Sequence, residues 1–197
     1  MEAYPKSVKT LGIIGASLGL AYQLMVFPFW FNILAFILLI FAVKKLSVQF
    51  KDPALFQKFL WGSLLCMSGK MIVLFIALGL IFKLKLMPPY FAVKSIHKLP
   101  VKHVPVKPLL IGIAGYIILA VGAYYLKNAL ITLSEYTKIG VFKIAGNLYF
   151  LSVIVILAIL LIPSIFIALL SKLLLIASWS LILAGFVFIS TLKDQSV

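Results

Sequence analysis

"VFKIAGNLYFLSVIVILAILLIPSIFIALLSKLLLIASWSLILAGFVFIS", residues 141–190, decides how this chain must fold. It is apolar apart from Lys143, Lys172 and a few neutral polar side chains. As one helix, rising about 1.5 Å per residue, it would reach ~75 Å, more than twice the ~30 Å of bilayer hydrocarbon. The segment must double back. Pro163, in "LLIPSIF", is the natural reversal, because proline lacks an amide hydrogen and obstructs the helix around it. The same logic divides residues 10–43 at Pro28, in "VFPFWFN", where Phe27, Phe29, Trp30 and Phe31 suit the aromatic belt of a membrane interface.

Composition extends this reading to the whole chain. Of 197 residues, 64% are hydrophobic and 11% charged, and the mean hydropathy is +1.23. A soluble chain of this size lacks the polar exterior needed to cover so much apolar surface; lipid removes the requirement. Two further spans lie between the proline-turned hairpins. "KDPALF" offers Asp52 as an N-cap and Pro53 at the first helical position, opening a span that runs to about Phe82. The next starts after Pro108 and continues through "KNALITLSEY" to near Gly140. The expectation is an all-α integral membrane bundle of about six transmembrane helices, a single domain over residues 1–197. Hairpins 1–2 and 5–6 flank spans 3 and 4, and both termini lie on one side.

Net charge is +14, from eighteen basic residues, all lysine, against four acids. Because the lysines punctuate long apolar runs, anionic lipid headgroups are the expected counter-charge, and no nucleic-acid partner is expected. Ten lysines fall on the side of the termini and six on the other, which places the termini in the cytoplasm. The six include Lys94, Lys98, Lys102 and Lys107, in the basic, proline-rich connection 83–108 between spans 3 and 4. Its prolines favour extended backbone, so the strip either lies along lipid headgroups or forms a solvated loop. His97 and His103 are too few for a closed metal site, Cys66 is the only cysteine, and no metal or cofactor is expected.

Lys70, in "LLCMSGKMIVLF", is the ionisable residue nearest the middle of a span. A central lysine costs ~2.5–3.5 kcal/mol on insertion scales, so it should face protein or water. Either it contacts an anion, substrate or lipid phosphate within the bundle, or it is structural, bonding backbone carbonyls of a neighbouring helix or snorkelling on its long stem. Lys172, nearer a span end, is expected to snorkel. Asn32, Asn147 and Gln23 are expected to hydrogen-bond between helices. Gly12, Gly15 and Gly19 form a small-residue stripe, either for packing inside the bundle or for contact with another subunit or a second copy.

Three further stretches carry a resemblance: "VKTLGIIGASLGL", "FAVKKLSVQFKDPALFQKFLWGSLL", and "YYLKNALITLSEYTKIGVFKIAGNLYFL" followed by "IASWSLILAGFVFI". Together they resemble the domain of unknown function 996 family, multi-spanning membrane proteins known mainly from archaea. The resemblance implies architecture and source, and no activity. No carboxylate occurs between Asp52 and Glu135, which disfavours a proton-driven pump, and no set of paired catalytic groups is evident. The expected function is therefore non-catalytic: an accessory subunit or lipid-associated scaffold of the cell membrane. The alternative is a small transporter or channel for an anionic or neutral solute, with Lys70 in its path.

Overall fold

A computed structural model describes residues 6–24, 29–83, 106–158 and 165–191. These form six helices: α1 (Lys6–Leu24), α2 (Trp30–Gln49), α3 (Pro53–Lys83), α4 (Val106–Thr137), α5 (Val141–Ala158) and α6 (Ile165–Thr191). No strand occurs among the described residues. Five of the six, α2 to α6, are long and apolar enough to cross a bilayer. The protein is thus an integral membrane helix bundle. α1 falls short of that measure, because Lys6, Lys9 and its glycines dilute its apolar content.

Sequence explains the helix ends. Pro53 and Pro108 both sit in a first turn, where a missing amide hydrogen costs no helical bond. Asp52 caps α3 as expected, its Oδ1 accepting from the backbone amides of Ala54 (2.9 Å) and Leu55 (3.3 Å). Its other oxygen accepts from the Tyr136 hydroxyl at 3.1 Å, tying the start of α3 to the end of α4. Tyr136 also stacks on Phe50, with ring centroids 4.8 Å apart. Pro28 and Pro163 lie outside the described residues. So do Lys94, Lys98, Lys102 and both histidines. α3 runs to Lys83 and α4 begins at Val106, so both ends of the expected 83–108 connection are helical and Lys107 falls in a first turn.

α2 ends in a Schellman motif. Asp52 N–H donates to Ser47 O (2.9 Å) and Lys51 N–H to Val48 O (3.2 Å), with Lys51 in the left-handed region at φ 55°. Lys138 is likewise left-handed (φ 58°) just beyond α4, whereas Gly140 does not have positive φ. A side chain with a Cβ is strained in that region, where glycine is not. Lys51→Gly and Lys138→Gly should each raise the unfolding free energy by about 1 kcal/mol, measurable by SDS titration in mixed micelles.

Each helix packs on its neighbours in sequence, and α6 closes against α1, so the bundle is a ring taken in chain order. The closest contact in it is α3 against α4. A Cβ on Gly62 would lie 2.7 Å from Leu126 N, one on Gly69 2.7 Å from Gly115 O, and one on Gly122 2.6 Å from Cys66 N. Glycine pairs seven residues apart on antiparallel helices bring backbone against backbone here, as small residues do where lipid offers no hydrophobic drive for association. The exposed Trp61, Tyr124 and Tyr125 lie at the level of Gly62 and Leu126, aromatic side chains of the kind that suit a membrane interface. Lys70, nine residues beyond Trp61, lies ~14 Å further along α3, away from both of its ends.

Candidate functional site

Lys70 points into the ring. Its side chain is half-buried, but its amine nitrogen is fully buried and has no hydrogen-bond partner. Aromatic faces lie around it instead. Nζ is 5.7 Å from the Phe36 ring centroid on α2 and 5.8 Å from that of Tyr149 on α5. Both distances are near the outer limit of a cation–π attraction. The two described acids, Asp52 and Glu135, belong to the α3 and α4 ends on the side of the termini, so neither neutralises the amine.

Lys70 lines a cleft of about 320 Å³ to which every helix or its flank contributes: Tyr22 and Gln23 from α1, Phe29 before α2, Val73 and Leu74 from α3, Tyr116 and Leu119 from α4, Tyr149, Ser152, Val153 and Ile156 from α5, and Ser171 and Leu175 from α6. The lining is mainly apolar, with a few polar atoms. Two of these, besides Lys70 Nζ, are buried without a partner. Gln23 Nε2 has none, and Tyr149 Oη has no oxygen or nitrogen partner, facing the Cys66 thiol. Tyr22, Gln23 and Phe29 border the α1–α2 connection, and Ile156 and Ser171 flank the α5–α6 connection. The cleft therefore runs from the middle of α3 toward the face opposite the termini.

Packing holds this geometry. Gly12 and Gly19 seat the Phe186 and Trp179 rings of α6, while Gly15 meets Ala35, Leu38 and Leu39 of α2. The stripe thus packs against α6 and α2 within the bundle. Trp179 meets Phe36 edge-on at 5.5 Å, fixing one of the rings beside Lys70. Buried serines bridge α6 to α5: Ser171 Oγ donates to Ser152 O and Ser178 Oγ to Ala145 O, both at 2.9 Å.

The carboxamides behave differently from expectation. Asn147 is exposed, Gln23 Nε2 lacks a partner, and both amide atoms of buried Asn32 do too. Serine replaces them as interhelical donor because its short side chain reaches a carbonyl where small residues bring helices together. Lys172 is exposed on the outer face of α6, free to extend toward an interface. Among the described residues no cluster of His, Cys, Asp or Glu is able to hold a metal ion.

The sequence singled out Lys70 and the α1 glycines but missed two features. The seven-residue glycine spacing in α3 and α4 was legible and marks their seam. The tyrosines and serines of the cleft carried no such signal, because nothing local says which spans meet.

A ring of helices, five of them long and apolar enough to cross a bilayer, defines a polytopic membrane protein. The family model described as "Protein of unknown function (DUF996)" matches residues 31–170, and the chain belongs to that family. It is also 31% identical over 156 residues to "Uncharacterized protein MJ1644" of Methanocaldococcus jannaschii, a match covering 78% of this chain and 81% of that protein. No solved structure matches the chain.

Proposed function

We propose that this protein is a non-catalytic, multi-pass protein of the cell membrane that carries or conducts a small anionic or neutral solute through the cleft at Lys70. The observation that supports this is the unpartnered amine of a cleft-lining lysine in the middle of a helix of membrane-crossing length. A lysine kept only for structure would be expected to bond a neighbouring helix's carbonyls, and a scaffold has no use for a cation facing a cavity. Binding sites of small membrane transporters lie at that depth. The scaffold reading draws its support from the lysines of residues 83–108, which are suited to anionic headgroups. Cytoplasmic termini follow from the ten-to-six lysine asymmetry and would open the cleft toward the outside.

Solute flux in proteoliposomes, compared between the native chain and Lys70→Ala, tests this. The substitution should lower flux at least tenfold. Flux equal in the two proteins, or absent from both across anionic and neutral solutes, rejects Lys70 as a transport residue.

A further inference from the structure

Resting on that reading, we infer that the cleft takes a small organic monocarboxylate with a hydrocarbon or aromatic body, its carboxylate seated on the Lys70 amine.

Three observations converge. First, among the described side chains that line the cleft, the buried polar atoms without an oxygen or nitrogen partner are the amine of Lys70, the amide nitrogen of Gln23 and the phenol oxygen of Tyr149, the last of which faces the Cys66 thiol. All three can donate a hydrogen bond, so an acceptor-rich group completes them. Second, among the described residues Lys70 is the one basic side chain that lines the cleft, and no Asp or Glu lines it. One negative charge brings the site to neutrality; a neutral solute leaves the ammonium uncompensated, and a divalent anion buries excess charge. Third, the rest of the lining is largely hydrocarbon and aromatic, including Val73, Leu74, Val153, Ile156 and Leu175. That wall suits an apolar body and repels an inorganic anion, which would lose its hydration without replacement.

The volume sets the scale. A cleft of about 320 Å³ corresponds to roughly ten water molecules at ~30 Å³ each. That is room for a compact acid, too little for a long-chain lipid.

The experiment uses the full chain in nanodiscs of zwitterionic lipid, so that anionic headgroups do not compete. Radiolabelled phenylacetate is the probe, with its uncharged analogue phenylacetamide and inorganic phosphate as comparisons. Phenylacetate should bind at least tenfold more tightly than the amide, and phosphate should not displace it. Lys70→Met should bind acid and amide alike, at the amide's affinity, which also shows that its cleft is intact. Should that variant misfold, Lys70→Gln makes the same comparison. Lys172→Met, altering an exposed lysine outside the cleft, should leave the ratio unchanged.

Equal binding of acid and amide by the native chain, displacement by phosphate, or an acid preference surviving in Lys70→Met overturns the assignment. Selective binding without flux removes the transport reading alone; flux without acid preference removes the ligand class alone.

Discussion

Gly122→Val is expected to lower the unfolding free energy by about 3 kcal/mol or more. A Cβ there would stand 2.6 Å from the backbone nitrogen of Cys66 and 2.9 Å from the carbonyl carbon of Leu65. Those are backbone atoms of a helix, and they cannot rotate away as a side chain can. The two helices must separate, which loosens contacts along the whole α3–α4 seam and disturbs Lys70, four residues beyond Cys66. Gly69→Val should behave similarly, since its Cβ would meet Gly115 O and Leu119 N at 2.7 Å. The control is Gly112→Ala, on the same helix as Gly122, where the nearest atom is an Ile76 methyl 3.9 Å away. That change should be neutral or stabilise by up to about 1 kcal/mol, because alanine is the better helix former. Equal losses at Gly112 and Gly122 under SDS titration would show that glycine flexibility, and not close approach, matters here.

The second large effect runs in the opposite direction. Lys70→Met should stabilise the protein by about 1–2 kcal/mol while abolishing its solute selectivity. Holding a lysine at the middle of a span costs ~2.5–3.5 kcal/mol on insertion scales. The Phe36 and Tyr149 rings, 5.7 and 5.8 Å away, return roughly 1–2 kcal/mol of that. Methionine keeps the length and flexibility of the side chain and removes the charge. A gain in stability joined to a loss of binding is the pattern expected where a strained residue is retained for function. A loss of stability would instead mean that the amine is bonded within the bundle, and the solute site would fall with it.

The two predictions meet on α3, where Gly69 and Lys70 are adjacent residues with different duties. Gly69 lets α4 approach, and Lys70, the next residue, turns inward toward α2 and α5. The seam thus serves as the rigid wall against which the amine is held. The serine bonds from α6 to α5 and the Trp179–Phe36 contact support the opposite walls.

Much of this architecture is written locally. Apolar runs separated by prolines specify helices of membrane-crossing length, because an unsatisfied backbone amide is too costly in hydrocarbon for any other open structure. Asp52 and Pro53 set the start of α3 through bonds to the next few amides. The isolation of Lys70 among apolar residues marks it as unusual without any tertiary information. Local sequence was weaker at α1, which is less apolar than its neighbours, and at the carboxamides, whose partners depend on what lies across the helix interface.

The set of helices, their approximate lengths and the place of one lysine in mid-helix follow from spacing along a single chain and the energetics of lipid. That the helices close into a ring, that Gly62 and Gly69 meet Gly122 and Gly115, and that Gln23, Tyr149 and Lys70 line one cleft came from three-dimensional packing. In lipid the helices are all similarly apolar on their outer faces, so hydrophobicity does not choose partners. That choice falls to the fit of small residues against backbone and rings, which arises only between segments distant in sequence.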